Sequence, residues 1–162
     1  MIELMTIGYE GRSLKEFFAM LARCNVETLI DVREMPLSRK KGFSKTALSA
    51  ELARHGIKYI HVPELGCPKP VRHAYREDGD WKTYTVRFLS YLKTQGAVLT
   101  ELASTAQGAR CCLMCFEADY NFCHRKYVAE EMINYLPEPF RIKHLTGPIS
   151  GQVVVPRFLA AA

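Results

Sequence analysis

The chain has 162 residues, of which 48% are hydrophobic and 24% charged. This composition is typical of one globular domain and excludes disordered, fibrous and membrane-embedded proteins. The formal net charge is +5, and residues 33–41 hold four basic side chains against one acidic, which favours an anionic partner.

The beginning of the chain predicts a cytoplasmic protein. Glu3 replaces the basic residues that open a secretory leader, and no apolar run is long enough to span a bilayer, so no membrane partner is expected. The six cysteines have no regular spacing, which indicates reduced thiols and not a disulfide scaffold.

In chain order, the first half predicts three strands. The first is Leu4–Ile7, followed by a helix from about Ser13, where Ser13 and Glu16 form a capping box. The second strand is Thr28–Val32, and a helix then begins near Ser44 and ends at Gly56. The third strand is Ile57–Val62.

The second half predicts two more strands. Residues 63–80 lack periodicity and predict a long loop of the kind that covers binding sites. Helices over 81–94 and 96–107, a strand over 110–116, a helix over 122–136 and a strand over 141–145 follow. This alternation predicts one three-layer, Rossmann-like α/β domain over residues 1–146, with a mostly parallel sheet of about five strands. Residues 147–162 are expected to form a tail or an edge strand.

Ligands of open α/β sheets bind beyond the carboxyl ends of the strands, so the polar residues there are the candidate site. We predict four catalytic residues, Cys115, Glu117, His124 and Asp31, and eight ligand-binding residues, Tyr9, Arg12, Arg33, Arg39, His61, Glu64, Cys123 and Arg125. Asp31 either orients Arg33 or acts as a general base. His61 and Glu64 are equally consistent with structural roles.

The segment from Cys115 to Arg125 is the most informative. With Asn121 as the cap, Cys123, His124 and Arg125 fall in the first turn of a helix, where free N–H groups and the dipole attract anions. An arginine there adds a planar fork suited to phosphate or carboxylate. The sequence therefore predicts an anion site at this turn.

Cys115 is either a nucleophile or a buried packing residue, and the sequence leaves both interpretations open. Cys112 and Cys115 should face opposite sides of a strand, which argues against their chelating one ion. The phosphatase-type loop is also excluded, because Asn121 stands six residues after Cys115, where that loop has arginine. No metal and no cofactor are predicted.

Several motifs together make the chain resemble the domain-of-unknown-function family 488. They comprise residues 6–9 with 12–14, 31–33 with Pro36 and 38–39, Phe43 with 44–45, residues 59–66, and residues 113–117 with 123–125. The chain departs from the usual pattern at Tyr9-Glu10 and at Phe116. The resemblance implies small cytoplasmic α/β proteins and supports the site, but supplies no substrate.

Three functions are consistent with these residues. The first is an enzyme, a Cys-dependent hydrolase or transferase, that binds a phosphate-bearing ligand related to nucleotides or nucleic acids. The second is a non-catalytic module that binds nucleic acid or another anion through the basic segment. The third is a redox sensor that uses Cys115 and Cys123.

Overall fold

A computed structural model describes residues 1–137 and 139–147. Its sheet has five parallel strands in the order β3-β2-β4-β1-β5. The strands are β1 Ile2–Gly8, β2 Thr28–Asp31, β3 Lys58–His61, β4 Cys111–Cys115 and β5 Phe140–Leu145. The α/β class and the parallel sheet are confirmed.

Helices cover both faces of this sheet. They are α1 Leu14–Arg23, α2 Lys45–Arg54, α3 Lys69–Asp78, α4 Trp81–Leu92, α5 Gly96–Gly108 and α6 His124–Glu131. The capping box of Ser13 and Glu16 is present at the start of α1. It satisfies backbone N–H groups that have no partner within the helix.

Two hydrophobic cores lie on the two sides of the sheet. Side chains of α1 and α2, such as Phe17 and Leu48, pack with Cys112 of β4 on one side. Those of α4, α5 and α6 pack with Cys115 on the other side. Consecutive residues of a strand point to opposite faces, and the predicted separation of Cys112 from Cys115 is confirmed.

The prediction of a loop over residues 63–80 is wrong. A short 3₁₀ turn covers Pro63–Leu65, and α3 runs to the left-handed cap Gly79. No apolar run marks this helix, because α3 is mostly polar and has no buried residue; Val71 and Tyr75 are only partly buried against the core. Pro70 is compatible with the helix because it stands in the first turn, where its missing N–H has no partner to lose.

The predicted cap of the last helix is also wrong. Asn121 lies in a 3₁₀ turn, Tyr120–Phe122, whose cap is Asp119. Cys123 is itself the N-cap of α6. The helix also ends earlier than predicted, at Glu131, and a 3₁₀ turn follows over Met132–Asn134.

The topology opens a crevice at the carboxyl end of β4. The chain leaves β1 and β2 through helices on one face of the sheet, whereas it leaves β4 through α6 on the other face. Since β4 lies between β1 and β2, the connections diverge on both of its sides. Open α/β sheets bind ligands at such points, so the residues that follow Cys115 are expected to line a ligand site.

Two other predictions concern a membrane partner and the C-terminal tail. No helix within the described residues is long and apolar enough to cross a membrane. The predicted tail or edge strand lies outside the described residues except for Gly147, whose carbonyl oxygen accepts a hydrogen bond from Arg12 Nη1 at 3.4 Å.

Candidate functional site

A cavity of about 670 Å³ lies at the carboxyl end of β4, within the usual size range of small-molecule sites. Three reactive side chains reach it from the β4–α6 turn, namely those of Cys115, Glu117 and His124. Its walls come from the segments after β1 and β2, from the β4–α6 turn, and from α3 and α4. They are lined by cationic and aromatic side chains, including Arg33, Arg39, Lys69, Arg72, His73, Arg76, Tyr9, Tyr75, Trp81, Tyr84, Phe116 and Phe122.

Cys115, Cys123 and His124 form a buried cluster beside the cavity. Their sulfur atoms and a ring nitrogen all lie within 4.8 Å of one another, and Cys115 Sγ is 3.9 Å from His124 Nδ1. His124 Nε2 is 2.7 Å from the carbonyl oxygen of Val32. A carbonyl oxygen only accepts hydrogen bonds, so Nε2 carries a proton and Nδ1 is left to face the sulfur. These are also the donor atoms that hold metal ions in proteins.

The two thiols differ in their ionisation. The hydrogen bond to Cys123 and burial both raise the pKa of Cys115. Burial also opposes ionisation of Cys123, but the hydrogen bond from Cys115 and the charge of Arg125 outweigh it and lower the pKa of Cys123. Cys123 is the N-cap of α6, where the helix dipole also favours an anion. Of the two thiols, Cys123 is therefore the one whose ionisation its surroundings favour.

Glu117 extends the cluster towards the cavity. Its Oε2 atom is buried and has no hydrogen-bond partner among the described residues. Burial and the neighbouring Cys123 raise the pKa of Glu117 to about 8. A buried carboxyl oxygen without a partner is costly to the fold, so this atom is available to a group that enters the cavity.

Arg12 and Arg125 lie behind the site and do not line the cavity. Arg125 is fully buried and donates to the carbonyl oxygens of Glu117 and Ala118 and to Thr6 Oγ1. Arg12 Nε donates to the carbonyl oxygen of Gly8 at 2.9 Å. Their guanidinium groups therefore hold the backbone around the turn in place. Their positive charge can act on a ligand in the cavity only at a distance, because neither side chain lines the cavity.

Asp31 and Arg33 form a buried ion pair, with Arg33 Nη2 2.7 Å from Asp31 Oδ2. Arg33 also donates to the carbonyl oxygen of Phe43 and to the hydroxyl of Tyr9. Burial disfavours the charge of Arg33, but the contacts with Asp31 raise its pKa above the ordinary value. Asp31 was predicted either to orient Arg33 or to act as a general base. The contacts in the structure are those needed to orient Arg33.

The other predicted residues are placed in different surroundings. Tyr9 lines the cavity and contacts Phe116 edge-on, with ring centroids 5.3 Å apart, so the two departures from the family pattern touch each other. Arg39 is exposed at the rim. His61 Nε2 bonds the carbonyl oxygen of Arg33, and Glu64 is exposed. Neither His61 nor Glu64 lines the cavity.

Sequence reasoning missed the basic face of α3. Lys69, Arg72, His73 and Arg76 line the cavity and stand at positions i, i+3, i+4 and i+7, a spacing that places side chains on one face of a helix. The signal was present in the sequence as a row of basic residues at helical spacing, with Val71 and Tyr75 on the side of the helix that packs against the core. The assignment of this segment as a loop concealed it.

A pH-dependent stability follows from the network behind the site. His144 Nδ1 is 2.7 Å from Thr6 Oγ1, which accepts from Arg125. Burial and the charges of Arg125 and Lys126 lower the pKa of His144 to about 4, against the opposing effect of Cys123. Below about pH 6.5 the unfolded chain binds a proton that the folded chain resists, so stability should fall as the pH drops from 6.5 towards 4.

We expect this fall to shrink by about 1 kcal/mol in His144→Gln, since partial exposure screens the interaction. Urea unfolding of both proteins at a series of pH values measures it. Protonation of carboxylates at low pH also lowers the free energy of unfolding. This loss is the same in both proteins, so it cancels when their curves are subtracted. Parallel curves for the two proteins would contradict the expectation.

Comparison with known proteins identifies a family. No curated protein and no solved structure matches the chain. The family model described as domain of unknown function DUF488 matches residues 13–132, a span that includes Asp31, Arg33 and the whole turn from Cys115 to Arg125. Because this match covers most of the chain, the protein belongs to the DUF488 family.

Proposed function

We propose that the protein is an enzyme, a hydrolase or transferase, that binds a phosphate-bearing ligand of nucleotide size in the cavity beside β4. The observation that carries this proposal is the composition of that cavity. Three potentially reactive side chains, those of Cys115, Glu117 and His124, lie at the floor of a space whose walls are aromatic and whose rim is cationic.

The rim supports an anionic ligand. Arg39, Lys69 and Arg76 are exposed there, and no ion pair in the described part of the chain involves any of them. Arg72, by contrast, is paired with Glu34 at 3.3 Å. Guanidinium groups bind phosphate oxygens through paired hydrogen bonds, and those of Arg39 and Arg76 are available for such contacts.

The walls support a planar group on the same ligand. Trp81 and Tyr84 are stacked with ring centroids 4.4 Å apart, and Tyr75 packs against both. Phe116 is exposed and also lines the cavity. Aromatic side chains stack on nucleobases with little preference among bases. A nucleotide matches both features, with its phosphates at the rim and its base against these rings.

The floor supports chemistry. Cys115 places a thiol at the cavity, and Cys123 and His124 beside it are the groups that can take its proton when the sulfur attacks. Glu117 adds a carboxyl oxygen that has no hydrogen-bond partner among the described residues. A nucleophile adjacent to acid–base groups is the arrangement of covalent catalysis in hydrolases and transferases. A binding module would not need three such groups in one buried place.

The binding half of the proposal is tested by fluorescence. Trp81 is the single tryptophan of the chain and lines the cavity, so its emission should change when adenosine or guanosine mono- and triphosphates bind. Affinity should fall with salt and exceed that of the free nucleosides. Arg39→Gln and Arg76→Gln should each weaken binding about fivefold, the effect of losing about 1 kcal/mol from an exposed charged contact.

Arg54→Gln is the matched control, because it removes an exposed arginine from α2 on the opposite face of the sheet. It should leave the affinity unchanged. Equal affinity for nucleosides and nucleotides, or equal effects of the three substitutions, would contradict a phosphate-binding rim.

The catalytic half is tested with Glu117→Gln, which keeps the shape of the side chain and removes its acid–base function. Incubation with the nucleotides that bind, followed by mass spectrometry, should show turnover by the natural protein. The variant should retain the fluorescence response and lose that turnover. Binding without any turnover by the natural protein would instead support the non-catalytic module.

A further inference from the structure

We propose that Cys115, Cys123 and His124 hold a zinc ion at the floor of the cavity. This goes beyond the proposed function, since the ion would bind whether or not the cavity accepts a nucleotide. It also differs from the site that the sequence argues against, because Cys112 faces the other side of the sheet and is replaced by Cys123 from the N-cap of α6.

The donor atoms are of the right kind and close to the right distance. Two sulfurs and one imidazole nitrogen lie within 4.8 Å of one another, and Cys115 Sγ is 3.9 Å from His124 Nδ1. A tetrahedral zinc ion bound at about 2.3 Å to sulfur and about 2.0 Å to nitrogen separates its ligands by roughly 3.5–3.8 Å. Thiolate and imidazole ligands in this geometry select zinc over the hard cations magnesium and calcium.

The orientation of His124 supports ligation. Its Nε2–H donates to the carbonyl oxygen of Val32 at 2.7 Å, and Phe88 packs edge-on against the ring, with centroids 5.3 Å apart. Zinc-binding histidines typically donate their second ring N–H to such an acceptor, which fixes the tautomer and aims the other nitrogen at the metal. The same outer hydrogen bond is present here.

Glu117 is a second, independent observation at the same place. Its Oε2 atom is buried without a hydrogen-bond partner in the described part of the chain, and its side chain lines the cavity together with Cys115 and His124. Three protein ligands leave the fourth position of a tetrahedral ion for water or substrate, as in catalytic zinc sites. Glu117 stands where it can bond a water in that position or occupy it.

The ion would change the role of Cys115. In the metal-free protein its sulfur is a candidate nucleophile, whereas in the zinc form the sulfur is a ligand and the reactive position is the fourth coordination site. The rim and the aromatic walls are unaffected, so the binding half of the proposed function is independent of the metal.

The test is direct metal analysis. The full chain is freed of metal with a chelator under reducing conditions, incubated with zinc and then analysed for bound metal after gel filtration. We expect one zinc per chain in the natural protein and in Cys112→Ala, and loss of zinc in Cys123→Ser and His124→Gln. Glutamine can still donate to the carbonyl oxygen of Val32, so His124→Gln separates ligation from structural support.

A measurement on the natural protein makes the proposal independent of whether the variants fold. Zinc should protect Cys115 and Cys123 from alkylation, residue by residue in mass spectrometry, without protecting the partly exposed Cys24. Cobalt in place of zinc should give the visible absorption of a tetrahedral site and the charge-transfer absorption of bound thiolates. No stoichiometric metal, retention of zinc by both ligand variants, or equal alkylation with and without zinc would overturn the proposal, whatever the result with nucleotides.

Discussion

Gly8→Ala should lower the free energy of unfolding by about 3 kcal/mol, the upper end of the usual cost of forcing atoms into a packed site, because the clash here is with backbone. A Cβ atom at this position would lie 1.8 Å from the carbonyl oxygen of Glu117 and 2.5 Å from its carbon. Both are backbone atoms of the β4–α6 turn, which a side-chain rotation cannot move away. The chain must therefore separate β1 from the turn that carries the site.

The loss should extend beyond the substituted residue. The N–H groups of Tyr9 and Glu10 donate to the carbonyl oxygens of Cys115 and Phe116, so displacement of the turn breaks contacts on both sides. Thermal unfolding should show a drop of roughly 10 °C in Tm for a domain of this size. The proposed turnover should be lost as well, because Glu117 moves with the turn.

Gly108→Ala is the matched control for this prediction. Gly108 ends α5, and a Cβ atom there meets no atom within 4 Å. Alanine should be neutral or slightly stabilising because it favours helix. A Tm of Gly8→Ala within about 2 °C of the natural protein, a shift worth less than about 1 kcal/mol, would show that the turn can move freely.

The sheet was predictable because its signals are local. The strands β1, β2 and β4 are largely buried runs, and the alternation of strands with helical segments predicts parallel pairing. The segment around Cys111–Cys115 is an example, since all five of its residues are buried. Its length and its flanking residues were enough to identify it.

The prediction failed where a helix is mostly polar. The helix α3 has no buried residue, and Asn121 is a good cap in a place where Asp119 caps a different turn. Local propensities cannot decide at which residue α6 begins. The observed start, with Cys123 as the N-cap, depends on packing that places Cys123 beside Cys115. The cluster of Cys115, Cys123 and His124 likewise depends on a contact between a strand end and a helix start, which spacing alone does not determine.

The arginines illustrate a further limit of sequence reasoning. A guanidinium near a strand end is equally able to bind a phosphate or to brace a turn, and the choice depends on which acceptors surround it. Arg125 has three protein acceptors in the structure, whereas Arg39 is exposed at the rim. The residue types are the same, and only the tertiary contacts separate a structural role from a ligand-facing one.

Asp31→Asn should be as damaging as the glycine substitution, for an electrostatic reason. Asp31 is fully buried and accepts from the backbone N–H, Nε and Nη2 of Arg33 and from the hydroxyl of Tyr59. Asparagine removes the charge and points an amide donor at these donors. Breaking a buried ion pair from one side costs about 3–5 kcal/mol, because the partner charge stays buried without compensation.

Urea and thermal unfolding measure this loss, with an expected fall in Tm of roughly 6–20 °C for a domain of this size. Glu51→Gln is the matched control, since it makes the same chemical change in a surface ion pair. In that pair Arg54 Nη1 lies 2.9 Å from Glu51 Oε2. The control should stay within about 0.5 kcal/mol of the natural protein. If both substitutions cost the same, Asp31 and Arg33 do not form a desolvated pair in solution. If only Asp31→Asn is costly, Asp31 and Arg33 form a desolvated pair, which contacts the cavity wall through the hydrogen bond from Arg33 Nη1 to the hydroxyl of Tyr9.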